Sequence, residues 1–143
     1  MSSFKKLLFP VLDDKRISAV LLLLRGFSGL ALMNHGWKKI QNPFHWMDNS
    51  TDPAPAVFQM LAAVAEFFGG MGLVVGALTV VASFGVFCTM VVAVSTHMNK
   101  GDPFGKWELA AFYACVMVFL AVAGPGRFSF DAWLRQRLGP SNQ

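Results

Sequence analysis

The stretch AEFFGGMGLVVG, residues 65–76, places a single carboxylate, Glu66, inside a glycine-rich apolar run. Removing an ionised carboxylate from water is costly unless a cation, a proton or a ligand compensates for the lost hydration. Glycines within an apolar helix allow neighbouring helices to approach closely in a membrane. The stretch therefore predicts a membrane helix with a buried charge, whose partner must come from elsewhere in the chain.

The composition of the whole chain is that of an integral membrane protein. Of its 143 residues, 55% are apolar and only 14% are charged, which differs from the balance of a soluble domain. The apolar runs are continuous and do not alternate, which argues against barrel strands. The basic residues flank these runs and do not form one basic face, so we expect no nucleic-acid partner. The length predicts a single membrane domain over residues 1–143.

Four apolar runs are each long enough to cross a hydrocarbon core of about 30 Å as a helix. Short turns separate the second run from the third and the third from the fourth, so consecutive helices are expected to be antiparallel. We predict an all-α fold, an integral membrane four-helix antiparallel bundle. The predicted spans are 17–37, 56–78, 80–97 and 107–123.

Two further segments mix aromatic and basic residues, a pattern typical of helices that lie at a membrane surface. The first covers residues 4–9, and the second, 128–138, is predicted to be a C-terminal amphipathic interfacial helix. Four spans place both termini on one side of the membrane. That side carries seven flanking basic residues (5, 6, 15, 16, 127, 135 and 137) and the other carries four (38, 39, 100 and 106). The positive-inside rule therefore predicts cytoplasmic N and C termini.

Two charged residues fall at similar predicted depths within the membrane. Arg25 lies twelve residues before the end of the first predicted span, roughly 18 Å, and Glu66 lies ten residues after the start of the second, roughly 15 Å. We predict that they form a pair in mid-membrane and that each compensates the desolvation of the other. A structural role in fixing helix register is the alternative for this pair.

A second group of polar residues is predicted near the opposite ends of the helices from the termini. His35, His97 and Glu108 lie late in the first span, late in the third and early in the fourth. Imidazole and carboxylate groups from three helices are compatible with a metal site, a proton relay or a quinone headgroup. The residues lack the local spacing of a zinc motif, so we expect no metal. Hydrogen bonding to loop backbone is the structural alternative.

Several of these residues occur in a shared order with intervening glycines, and this order resembles the DoxX family of small four-helix membrane proteins. The most specific part of the resemblance is the stretch GPGRFSFD, residues 124–131, although aromatic residues occupy positions 128 and 130 where aliphatic residues are expected. A proline-rich loop with His45 and Trp46 is a second departure. The residues that carry the resemblance are Arg25, Gly26, His35, Gly36, Lys39, Ala65, Glu66, Gly69, Gly70, Gly76, His97, Glu108, Gly124, Pro125, Gly126, Arg127 and Asp131.

The resemblance implies a multi-pass protein of the bacterial inner (plasma) membrane. Some members of the family are subunits of a thiosulfate:quinone oxidoreductase, and others associate with a superoxide dismutase and a sulfurtransferase. It also implies that Lys39 belongs to the ligand-binding residues. Five residues would form a structural motif near the C-terminus: Gly124, Pro125, Gly126, Arg127 and Asp131.

These observations lead to one functional hypothesis and one alternative. We expect a membrane subunit of a quinone- or thiol-linked redox system, an oxidoreductase component with quinone as its cofactor. Arg25 and Glu66 would be its catalytic charge pair, and both would line one polar cavity with the ligand-binding residues His35, His97, Glu108 and Lys39. The partner would be a redox enzyme or a second copy of the chain. The alternative is a non-catalytic scaffold whose basic C-terminal helix docks a partner protein or anionic lipid.

Overall fold

Prolines and glycines mark the ends of the helices in this computed structural model, which describes residues 14–50 and 52–138. The helices are α1 (Asp14–Gln41), α2 (Ala56–Val75), α3 (Thr79–Asn99), α4 (Phe104–Ala123) and α5 (Phe130–Leu138). Pro55 and Pro103, both in extended conformations, precede α2 and α4. Gly76 (φ +74°) and Gly124 (φ +78°) end the same two helices, because a residue without a Cβ adopts positive φ at little cost.

The first four helices are long and apolar enough to span a membrane. The prediction of an all-α fold with four membrane-spanning helices is therefore confirmed. Their bounds differ from the predicted spans at several ends: α1 continues to Gln41, α2 stops at Val75, and α4 already starts at Phe104. Residues 130–138 are helical as expected, while their location at the membrane surface stays a prediction. The predicted interfacial segment 4–9 lies outside the described residues.

Packing is strongest between α1 and α2 and between α3 and α4. Gly29 and Gly70 bring the first pair into backbone contact: a Cβ added at Gly29 would lie 2.6 Å from the Gly70 carbonyl oxygen, and the reverse distance is 2.7 Å. Large apolar side chains fill the centre of the bundle, among them Leu32, Leu73, Val86, Met117 and Leu120. The two buried charged side chains, Arg25 and Glu66, lie on opposite sides of the Gly29–Gly70 contact.

We name the two ends of the bundle by the connections they carry. The loop side holds residues 42–55, between α1 and α2, and residues 100–103, between α3 and α4. The terminal side holds the start of α1, the turn at residues 76–78 and the segment 124–129 that leads into α5.

Candidate functional site

The guanidinium group of Arg25 lies at the terminal side and binds backbone carbonyl groups. Nη1 donates hydrogen bonds to the carbonyl oxygens of Leu73 (2.9 Å) and Val74 (3.0 Å), and Nη2 donates to that of Phe128. The first two oxygens belong to the last turn of α2, where carbonyl groups have no partner within the helix. Through these hydrogen bonds Arg25 caps the end of α2 from the neighbouring helix and joins α2 to the C-terminal segment. The side chain is almost fully buried, with 1% of its surface exposed.

The carboxylate of Asp131 caps the start of α3 from the same junction. Oδ1 accepts a hydrogen bond from the Leu78 N–H (2.8 Å) and Oδ2 accepts one from the Thr79 N–H (2.9 Å). Its own N–H donates to the Gly76 carbonyl oxygen (2.9 Å). Burial alone raises the pKa of Asp131, but these hydrogen bonds and the positive charge of Arg135 outweigh it, so the pKa lies below its ordinary value.

The C-terminal motif is held in place by further hydrogen bonds. The Arg127 N–H donates to Ser18 Oγ on α1 (3.1 Å). Ser129 Oγ donates to the Gly126 carbonyl oxygen (2.7 Å) and accepts from the Ala132 N–H (3.1 Å), which places Ser129 at the N-terminus of α5. The motif at residues 124–131 therefore ties α5 to α1 and to the turn between α2 and α3.

The predicted pair between Arg25 and Glu66 is wrong. The groups that bind Arg25 on α2 lie seven or eight residues beyond Glu66, roughly 11 Å along the helix axis. The prediction assumed that α1 and α2 reach the same level at the loop side. In the structure Gly36 packs against Glu66 and Phe67, so α2 extends past the end of α1, and Arg25 is level with the end of α2.

Glu66 instead pairs with Lys39 at the loop side. Lys39 Nζ lies 2.6 Å from Glu66 Oε1, and the side chains are 25% and 4% exposed. The contact depends on Gly36, where an added Cβ would lie 2.7 Å from the Phe67 backbone nitrogen. Lys39 is among the predicted ligand-binding residues, but its pairing with Glu66 is not a prediction of the sequence.

The loop between α1 and α2 folds over this ion pair. Lys39 Nζ lies 4.6 Å from the centre of the Trp46 ring, close enough for a cation–π interaction. Trp46 Nε1 donates to the Gln59 carbonyl oxygen (3.0 Å), while Gln59 Oε1 accepts from the Met47 N–H (3.0 Å) and Gln59 Nε2 donates to the Ala54 carbonyl oxygen (2.7 Å). Trp46 and Gln59 thus hold the loop above Lys39, a role that the sequence analysis missed.

The second carboxylate oxygen of Glu66 is buried without a hydrogen-bond partner among the described residues. Glu66 belongs to a π-helical turn, Ala65–Gly69, in the middle of α2. Such turns interrupt the regular hydrogen bonding of an α-helix and are frequent at functional sites. A buried carboxylate with one oxygen engaged and one free provides an acceptor for a ligand that carries an O–H or S–H group.

His35, His97 and Glu108 all lie toward the loop side but point to different neighbours. The His35 ring packs edge-on against Tyr113, with the ring centres 6.4 Å apart. His97 Nδ1 lies 2.8 Å from Asp102 Oδ2 in the turn before α4. Glu108 lines a shallow pocket on α4 with Phe104, Leu109 and Phe112. Across residues 14–50 and 52–138, no group of three or more His, Cys, Asp or Glu side chains is placed to hold a metal ion.

The expectation that all these residues line one polar cavity is therefore wrong. Arg25 is engaged at the terminal side, Glu66 and Lys39 at the loop side, and the Gly29–Gly70 contact lies between the two levels on α1 and α2. The arrangement contains two separate polar centres. Of these, the one around Glu66 has an unsatisfied buried acceptor on a carboxylate.

Comparison with known proteins identifies one relationship. A family model described as DoxX matches residues 20–98, which is more than half of the chain. The matched region includes Arg25, Lys39 and Glu66, whereas the motif at residues 124–131 lies beyond it. A search of curated proteins finds no match, and a search of solved structures finds none either.

Proposed function

The chain belongs to the DoxX family, and from this premise we propose that it is a membrane subunit of a quinone-linked redox system, with Lys39 and Glu66 as its ligand-binding pair. The observation that carries the proposal is the buried Oε2 of Glu66, which has no hydrogen-bond partner within residues 14–50 and 52–138 and lies on a carboxylate paired with an ammonium group. A quinone presents carbonyl oxygens, which accept hydrogen bonds, and its quinol presents hydroxyl groups, which donate them. The pair supplies one group for each form: Lys39 donates and Glu66 accepts.

Reduction of a quinone consumes two electrons and two protons. In this proposal a partner subunit supplies the electrons by oxidising two thiols to a disulfide, a step that also releases two protons. Glu66 holds and transfers a proton at its free oxygen, and Lys39 stabilises negative charge on the quinone oxygen as electrons arrive. His35 lies one helical turn before Lys39 on α1 and adds a second group able to exchange protons near the same end of the bundle.

Quinone titration of the purified protein tests this assignment. Quenching of tryptophan fluorescence reports binding, because Trp46 lies against Lys39. We expect Glu66→Gln to weaken quinol binding about tenfold or more, since a hydrogen bond to a charged group is worth about 1.5–3 kcal/mol. Lys38→Gln and Glu108→Gln are matched controls, because neither residue contacts the pair. Equal quinol affinity in wild type and Glu66→Gln would contradict the proposal.

A scaffold function is the second candidate, and the contacts of Arg25 favour it. Through Nη1 and Nη2, Arg25 joins α2 to the C-terminal segment, which suits a role in presenting α5 at the terminal side. Trp133 and Arg137 on α5 stack on each other, with 5.5 Å between the guanidinium carbon and the ring centre, and Trp133 is exposed. If this function is correct, Trp133→Ala with Arg137→Gln abolishes recovery of a partner protein, whereas Glu66→Gln leaves recovery intact.

We further propose that the protein resides in the bacterial plasma membrane with both termini in the cytoplasm. The support is the excess of flanking basic residues at the terminal side. Reporter fusions at residue 143 and within residues 100–103 test it: a cytoplasmic signal from the first and an external signal from the second are expected, and the reverse pattern would contradict the orientation.

A further inference from the structure

A cleft opens at the terminal side between the start of α1 and the segment that leads into α5. Its volume is about 360 Å³. Ile17 and Leu21 of α1 and Pro125 form apolar walls, and Ala132 of α5 also borders it. The Arg127–Ser18 hydrogen bond fixes the segment against α1, so the cleft is built by tertiary contacts.

Three ionisable side chains line this cleft. They are Arg127, Arg135 and Asp14, which together give a net charge of +1. In the part of the chain that the structure describes, neither arginine forms a salt bridge within 4 Å. Two guanidinium groups beside an apolar wall match a phosphate that carries a hydrocarbon chain.

The surroundings of the cleft indicate its depth in the membrane. Phe128 and Trp133 are about half exposed beside it. Aromatic side chains of this kind are enriched where the hydrocarbon core meets the headgroups. We therefore expect the cleft to open at the level of the phospholipid phosphates, with its apolar wall continuing into the membrane along α1.

We propose that this cleft is a binding site for an acidic phospholipid with a hydroxylated headgroup, of the phosphatidylglycerol type. The phosphate lies between Arg127 and Arg135, the headgroup hydroxyls donate hydrogen bonds to Asp14, and an acyl chain follows Ile17 and Leu21. This ligand accounts for the two arginines and for the single carboxylate. The carboxylate of Asp14 would disfavour a headgroup that has no hydrogen-bond donors.

Native mass spectrometry of the full chain, released from nanodiscs of phosphatidylcholine with a minor fraction of phosphatidylglycerol, tests the site. We expect one retained phosphatidylglycerol, bound about fivefold more weakly in Arg127→Gln and in Arg135→Gln, since one basic residue contributes about 1 kcal/mol to binding an anionic lipid. Arg137→Gln is the matched control, because Arg137 is on the same helix and does not line the cleft. If Arg137→Gln weakens phosphatidylglycerol binding equally, the lipid is held by non-specific electrostatic attraction, and the proposed site is overturned.

Two further measurements identify the ligand. Asp14→Asn is expected to reduce the preference for phosphatidylglycerol over phosphatidic acid, and an unchanged preference would overturn the role of the hydroxyl groups. Inorganic phosphate is expected not to displace the lipid; full displacement would overturn the acyl contact. If an arginine variant fails to fold, Ala132→Phe fills the cleft without removing a charge and is expected to expel the lipid, while retention of the lipid would contradict the location.

Discussion

Replacement of Asp131 by alanine removes both hydrogen bonds that cap α3. The Leu78 and Thr79 N–H groups lose acceptors at 2.8 and 2.9 Å, and Leu78 itself adopts an unfavourable positive φ of 50° that the junction holds in place. A lost N-terminal cap costs about 1 kcal/mol, and loss of a second hydrogen bond to a partly exposed carboxylate adds about 1 kcal/mol. We therefore expect Asp131→Ala to lower the free energy of unfolding by about 2 kcal/mol.

Equilibrium unfolding in mixed micelles, followed by circular dichroism, measures this loss. Asp131→Asn retains one acceptor oxygen and is expected to lose about half as much. Asp52→Asn removes an exposed loop carboxylate and is the matched control, with a change within about 0.5 kcal/mol. If Asp131→Ala unfolds with the same free energy as Asp52→Asn, the capping role assigned to Asp131 is refuted.

The same carboxylate predicts a pH dependence. Because the pKa of Asp131 is lower in the folded than in the unfolded protein, its stabilising contribution is fully present above the unfolded value, near 3.8. The contribution is lost as the pH falls through the lower folded value. The stability difference between wild type and Asp131→Asn should therefore be constant near neutral pH and shrink below about pH 4. A difference that persists in acid would contradict this origin.

Three other substitutions test the packing. Gly76→Ala is expected to lower the free energy of unfolding by about 2 kcal/mol or more. The φ of Gly76 is +74°, and the added Cβ would overlap the Arg25 guanidinium and lie 2.6 Å from Ser129 Cβ. Gly105→Ala is the control: it has open space at its Cβ and should leave thermal unfolding unchanged. Arg25→Lys should also destabilise, by about 2 kcal/mol, since one ammonium group cannot span carbonyls on α2 and in the C-terminal segment; stability equal to wild type would contradict the assigned contacts. Gly36→Ala should separate α1 from α2 and weaken quinone binding, because it moves Lys39 away from Glu66. Unchanged binding would show that the close approach is not needed.

The number and order of the membrane helices could be predicted because hydropathy over about twenty residues is a property of the sequence alone. The location of the helix ends was less predictable. α1 continues to Gln41, beyond its predicted end at residue 37, and the start of α2 lies past the end of α1, so both differences change which residues of α2 lie level with Arg25. An error of a few residues in a helix end was therefore enough to assign the wrong partner.

The true partners of Arg25 are backbone carbonyl groups, which every residue carries and which no sequence pattern distinguishes. Their availability arises from the end of α2 at Gly76, so a glycine that terminates an apolar run was the one sequence signal for them. Asp131 in the C-terminal motif was likewise visible in the sequence, but its partner was not. Its conversion into a cap for α3 requires tertiary contact across more than fifty residues, which local propensity does not encode.

The Lys39–Glu66 pair could have been anticipated from the reach of a lysine side chain. Lysine near a helix end often extends along the helix to reach a polar group. Lys39 was predicted to be a flanking basic residue and a ligand-binding residue, without a contact to Glu66. The π-helical turn at Glu66 has no sequence signature comparable to a proline or a capping residue, so its presence emerges from the structure alone.

Infrared difference spectroscopy during quinone reduction tests whether Glu66 exchanges a proton with a bound quinone. Wild-type protein should show a change in carboxyl stretching bands when the quinol forms, and this change should be retained in Glu108→Gln and absent in Glu66→Gln. Identical difference spectra for wild type and Glu66→Gln would contradict the claim.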